Sequence, residues 1–280
     1  MTLVDAHHHV WDLSVRDQEW ISGPGTAALR RSFGIEELAP QARAAGVDAT
    51  VLVQTVCVAE ETPELLALAA VGGLVAGVVG WTDLTAPGAA DALAALRELP
   101  GGQRLVGIRH QVQSEPDPRW LLRADVLRGL AAVAEAGLVH DIVVLPHQLP
   151  AAAEAAARLP GLTFVLDHLG KPPVASGALE PWSCAVRRLA ALPNTVCKLS
   201  GLVTEADRSS WTVEDLRPCA DTVLDAFGPD RLMFGSDWPV CLLAAGYGEV
   251  LDAARALTGH LGEAERRAVF GGTATRVYGL

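Results

Sequence analysis

The sequence predicts a (β/α)8 barrel spanning residues 1–280, and three observations carry that expectation. Eight short apolar or β-branched runs recur along the chain, and Ala/Leu/Glu/Arg-rich stretches long enough for helices separate them. Gly or Pro then marks the ends of several of those stretches. At 280 residues, half of them hydrophobic, the chain can bury one large core and is close to the usual size of one barrel domain.

The candidate strands fall at 3–4, 49–53, 75–79, 105–108, 142–145, 164–166, 196–197 and 232–234. Between them the composition predicts helices at 35–45, 60–70, 89–98, 121–136, 151–159, 184–192 and 213–227. Stops follow at Gly46, Pro100-Gly101, Gly137, Pro160-Gly161 and Gly228-Pro229. Residues 14–30, 115–120 and 204–211 read as longer loops at strand ends. A doubly wound open sheet would alternate in the same way, but His7-His8-His9-Val10-Trp11-Asp12 after the first run contains no Gly-rich phosphate turn. The barrel is therefore preferred.

Charge and composition exclude several function classes. With 22 basic and 33 acidic residues the formal charge is -11, which repels phosphate backbones and argues against nucleic acid as a partner. The apolar stretch 65–79 is broken by Gly72-Gly73 and Gly77, so no membrane span is expected. The N-terminal residues lack the basic and apolar regions of a secretory signal, which points to a cytoplasmic protein. Five scattered cysteines, with no C-x-x-C spacing, read as buried hydrophobes rather than a disulfide framework. A small-molecule substrate is the expected partner, and a homo-oligomer is compatible with the sequence.

Three segments carry candidate chemistry. The period of a strand points His7 and His9 to one side and His8 to the other, so two imidazoles face one point at the barrel mouth. Such a pair can bind Zn²⁺ or hydrogen-bond a carbonyl oxygen. His168 follows the apolar run Phe164-Val165-Leu166, at a strand end that belongs to the mouth. Asp237 leaves the eighth strand in Phe234-Gly235-Ser236-Asp237-Trp238-Pro239, and barrel closure brings that strand beside the first. A carboxylate there can ligate a metal or take a proton from water; taken alone, Asp before Trp-Pro also suits a helix cap.

With these motifs in place, the chain resembles the lactonase branch of the amidohydrolase superfamily. The resemblance rests on Asp5-Ala6-His7-His8-His9-Val10-Trp11-Asp12, Asp167-His168-Leu169-Gly170-Lys171-Pro172 and Phe234-Gly235-Ser236-Asp237-Trp238-Pro239-Val240. The segments Val79-Gly80-Trp81-Thr82-Asp83-Leu84, Gly107-Ile108-Arg109-His110 and Cys197-Lys198-Leu199-Ser200-Gly201-Leu202 add to it. It implies that His7 and His9 are the first-strand pair, His168 the sixth-strand histidine and Asp237 the eighth-strand general base, with His7, His9 and Asp237 as candidate metal ligands. The fifth strand offers no Lys or Glu to bridge two metals, which argues against a binuclear centre. One zinc-like ion and no ion at all are both compatible with the branch.

Lactone hydrolysis needs an activated water, a polarised carbonyl and a proton for the leaving alkoxide. Asp237 would activate the water, His7 and His9, alone or through a metal, would hold the oxyanion, and Asp237 or His168 would return the proton. Candidate substrate contacts are Arg109, His110, Trp81, His147, Lys198 and Trp238. Of the neighbours Arg109 and His110, strand alternation lets one point inward. His147 suits a third metal imidazole or a substrate contact equally. The favoured substrate is a neutral aldonolactone, such as L-fucono- or L-rhamnono-lactone, because a dicarboxylate would call for several cations. A 2-pyrone-4,6-dicarboxylate-type lactonase and a metal-dependent decarboxylase or amide hydrolase are the alternatives.

Overall fold

The structure, a computed structural model, describes residues 2–280. Its eight strands form one sheet in chain order with every neighbouring pair parallel. They are β1 (Val4–His8), β2 (Ala49–Val53), β3 (Val75–Gly80), β4 (Leu105–His110), β5 (Val139–Ile142), β6 (Phe164–Leu166), β7 (Thr195–Leu199) and β8 (Leu232–Phe234). Residues just beyond β8 close the ring: His8 bridges Trp238, and the His9 N–H donates to the Trp238 carbonyl at 2.7 Å. The expected (β/α)8 barrel is thus observed.

Seven helices follow the strands as the composition predicts: α1 (Ile35–Ala44), α2 (Glu61–Ala70), α3 (Ala89–Glu98), α4 (Ala124–Glu135), α5 (Leu149–Arg158), α6 (Trp182–Ala190) and, after the short α7 (Leu202–Glu205), α8 (Val213–Phe227). Beyond β8 lie α9 (Tyr247–Leu257), α10 (Glu263–Arg267) and α11 (Thr273–Tyr278). Apolar faces of these helices and the outward residues of the strands form the main core, which includes Leu52, Val78, Ile108 and Leu166. None of the helices is long and apolar enough to cross a membrane, among the described residues.

The fifth strand corrects the sequence reading. It occupies Val139–Ile142 rather than 142–145, because its register pairs it with Gly107 to His110 on one side and Phe164 to Leu166 on the other. Val143 and Val144 are buried, yet they already run toward the turn at Pro146. His140 and Asp141 hid the true strand, since polar residues read as loop. α4 likewise begins at Ala124, three residues later than expected, because Trp120–Leu122 forms a separate 3₁₀ turn.

The barrel interior is layered. Val4, Ala6, Val51, Val53, Val79, Val139, Val165, Val196 and Met233 pack with Tyr278, which α11 carries into the interior. Above this apolar layer the inward positions turn polar. On β1 the change of phase comes from a bulge: Asp5 pairs with Thr50 but His8 pairs with Leu52, so three residues of β1 span two of β2. Ala6 and His7 consequently both reach the interior, and His9 follows, while the His8 side chain bonds Thr50 Oγ1 at 2.9 Å.

Candidate active site

Backbone contacts seat the acid against the histidines. The Asp237 N–H donates to the His7 carbonyl at 2.8 Å, and Asp237 adopts φ 57°, a left-handed conformation that Asp accepts more readily than most residues. His168 (φ 51°) begins a run of four left-handed residues through Lys171, and the Gly201 Cα closes against its ring. Backbone in this rarely populated region at both functional motifs fits the pattern of strain held at sites.

Three imidazole Nε2 atoms surround one carboxylate oxygen. Asp237 Oδ1 lies 3.7 Å from His7, 3.5 Å from His9 and 3.8 Å from His168. Burial works to raise the Asp237 pKa, but His168 and His9 outweigh it and hold the group below the ordinary carboxylate value, so it is ionised. Burial lowers His168 to about 4 and keeps it neutral at pH 7. His7 is also held well below its ordinary value, by burial first and then by Lys198.

Beneath the mouth lies a buried charge cluster. Arg109 donates to Asp167 at 2.9 Å and to Gln54 Oε1 at 2.9 and 3.2 Å. Lys198 Nζ sits 2.5 Å from Asp141 and 3.0 Å from both Asp167 and His7 Nδ1. Burial would raise Asp167, yet Lys198, His7 and Arg109 together keep it well below its ordinary value. Removing one member of such a buried cluster leaves an uncompensated charge, so it is rigid by construction.

The cavity above these residues is lined by His9, His168 and Asp237, by Arg109 and Lys171, and by Trp20, Thr55, Gln111, Gln113, Thr204 and Glu205. Lys171 pairs with Glu205 at 3.7 Å. Roomier grooves beside α2, about 470 Å³, and α3, about 680 Å³, contain none of the four mouth residues, so chemistry rather than volume locates the site.

The remaining predicted contacts lie elsewhere. Of the pair Arg109 and His110, Arg109 faces inward; His110 stacks on Trp120 at 4.1 Å, accepts from Trp81 Nε1 at 3.1 Å and meets Glu115 at 2.7 Å. Trp81 joins that outer cluster and lines the groove beside α3. Trp238 is fully buried against Phe33, and His147 is exposed on the turn after β5. Lys198 lies below the cavity floor rather than in its lining. Gln111 and Gln113 went unnoticed in the sequence, although they continue the every-second-residue spacing from Arg109.

The donor chemistry fits one divalent cation. Donor atoms of His7, His168 and Asp237 lie within 4.8 Å of one another, and imidazole with carboxylate is a zinc-type set. His9 Nδ1 bonds the Val53 carbonyl at 2.8 Å, an outer contact that leaves its Nε2 lone pair toward the mouth. An ion drawing on His7 Nε2 needs the His7 proton on Nδ1.

Comparison with known proteins agrees with this arrangement. The amidohydrolase family model matches residues 4–280. The chain belongs to the amidohydrolase family. This amidohydrolase is 46% identical to the L-fucono-1,5-lactonase of Burkholderia multivorans, over 99% of this chain and 96% of that one. It is 39% identical to the L-fucono-1,5-lactonase of Burkholderia ambifaria, over 98% and 94% of the two chains. A crystal structure of an amidohydrolase from Burkholderia multivorans with bound zinc superposes with a TM-score of 0.94 at 43% identity, covering all of both chains.

Proposed function

We propose that this amidohydrolase hydrolyses a neutral sugar-acid lactone of the L-fucono-lactone type to the open-chain acid. The observation that carries the reading is the ionised Asp237 carboxylate ringed by three imidazoles at the mouth. The lactonases of two Burkholderia species, similar over almost their whole length, support the substrate class.

Asp237 Oδ1 accepts a proton from water as the water oxygen bonds the lactone carbonyl carbon. The negative charge that collects on the carbonyl oxygen faces the imidazole edge of His7. When that tetrahedral centre collapses, the ring C–O bond breaks, and the proton passes from Asp237, directly or by way of His168, to the departing alkoxide. A divalent ion held by His7, His168 and Asp237 would, when bound, polarise the carbonyl and acidify the water.

Charge pairing supports a neutral ring over a dicarboxylate. The guanidinium of Arg109 is already matched by Asp167, and Lys171 faces Glu205, so the mouth offers an anion no spare cation. Its amides and hydroxyls, from Gln111, Gln113, Thr55 and Thr204, suit the hydroxyls of an aldonolactone, and Trp20 offers a ring face. The test is acid release, read by a pH indicator, across sugar γ- and δ-lactones and 2-pyrone-4,6-dicarboxylate, with and without Zn²⁺. Turnover of a neutral lactone is expected; turnover of the dicarboxylate alone, or silence, would overturn the assignment.

A further inference from the structure

The tautomer of His7 is legible from its neighbours. A neutral imidazole carries one N–H, so each contact at one ring nitrogen constrains the other. At Nδ1 two groups compete: Lys198 Nζ at 3.0 Å in hydrogen-bonding geometry, and Asp167 Oδ1 at 3.3 Å. Asp167 Oδ1 is already faced by the Lys198 ammonium at 3.0 Å, closer than the imidazole, so it has a proton-bearing partner without the Nδ1 of His7. An ammonium has only protons to offer, and His7 Nδ1 must accept.

The other side of the ring agrees. His9 spends its Nδ1 proton on the Val53 carbonyl at 2.8 Å, which leaves its Nε2 as an acceptor. His9 Nε2 and His7 Nε2 stand 3.1 Å apart, and the proton between them must come from His7. One contact opposes this reading, Arg109 Nη1 at 3.4 Å from His7 Nε2, but it is longer than the 3.0 Å contact of Lys198 with Nδ1 and the 3.1 Å contact between the two Nε2 atoms.

Lys198 is itself held from below. Asp141 takes one of its protons, and the Tyr278 hydroxyl stands 2.9 and 3.0 Å from the two oxygens of Asp141. Tyr278 belongs to α11, the last helix of the chain, and packs into the apolar layer of the barrel. A continuous line therefore runs from the barrel floor to the mouth: Tyr278, Asp141, Lys198, His7.

We infer that Tyr278, Asp141 and Lys198 are positioning residues that hold His7 as its Nε2–H tautomer in the protein without a bound ion, so that there His7 meets the substrate as a hydrogen-bond donor. The catalytic half of this inference rests on the lactonase reading, and the tautomer half does not. With Nε2–H directed at the mouth, His7 donates to the carbonyl oxygen as negative charge collects there, while Lys198 keeps the ring from turning.

The test is nitrogen-15 NMR of histidine-labelled protein dialysed against a chelator, with the His7 signals identified by their loss in His7→Asn. The wild type should show a protonated Nε2 and a bare Nδ1; a protonated Nδ1 would overturn the inference. In Lys198→Met the proton should move to Nδ1 and donate to Asp167, and a wild-type pattern there would equally overturn it. Tyr278→Phe, a mild change that guards against misfolding of the lysine variant, should displace the His7 nitrogen signals. On a lactone substrate it should lower kcat roughly 10-fold with KM little changed. Unchanged signals in Tyr278→Phe would remove Tyr278 from the line. Because the spectra need no substrate, the tautomer can hold while a silent lactone panel defeats the proposed reaction.

Discussion

The backbone N–H of Asp237 donates to the carbonyl of His7 at 2.8 Å, tying the exit of the eighth strand to the first. This one bond puts a carboxylate from the end of the chain beside imidazoles from its beginning. It also sets the backbone of Asp237, whose φ of 57° few side chains accept.

Asp237→Asn should therefore keep the fold and lose the reaction. Asn tolerates the left-handed conformation but cannot take a proton from water, so kcat should fall by roughly 10²–10⁴-fold while the melting temperature stays close to wild type. Asp237→Ala should lose as much activity and, in addition, about 1 kcal/mol of stability from strain. Equal melting temperatures for the two variants would argue against the strain.

Gly201→Ala tests how His168 is held. Gly201 has φ 67°, and a Cβ there would come within 2.7 Å of the His168 ring. Gly177 has nearly the same φ, 66°, with nothing within 4 Å, so Gly177→Ala carries the same backbone cost without the collision. Steady-state kinetics should show a loss of roughly 10-fold or more in kcat for Gly201→Ala and none for Gly177→Ala. Equal behaviour of the two would mean that the position of His168 does not matter to the rate.

Acid stability should depend on two histidines outside the site. Burial lowers His8 and His140 to about 3 from the ordinary 6.5. A folded pKa below the unfolded one contributes stability above about 6.5 that is lost as pH falls toward 3, at most on the order of 5 kcal/mol per group. Asp5 works in the opposite sense. Burial raises it from 3.8 to about 6, so its contribution is complete below about 4 and is lost as pH rises through 6. His140→Leu should leave stability at pH 7 within about 1 kcal/mol and flatten the fall in melting temperature between pH 6 and 4. A fall as steep as in the wild type would show that His140 is not the group responsible.

The fold and the rim of the site were legible because they follow local patterns. Alternation placed His7 and His9 together, and the apolar runs before His168 and Asp237 put both at strand ends. Asp141 and Lys198 were harder, because a charged residue inside a strand looks like a loop until its partners on other strands are known. Lys198 illustrates the point: its neighbours Asp141 and His7 sit on β5 and β1, and no spacing along the chain reports that meeting. His110 and Trp81 misled for the related reason that a position next to a strand end gives no facing, and their mutual bond turns both away from the cavity.

The most direct test of the central claim is a single turnover of a neutral six-carbon deoxy aldonolactone in ¹⁸O water, with enzyme in excess and the product acid read by mass spectrometry. With Asp237 acting as a base on water, the first turnover places one ¹⁸O in the product carboxylate and none in the enzyme. Unlabelled acid from that first turnover, with label appearing in Asp237, would make the residue a nucleophile and contradict the account, as would the absence of any turnover.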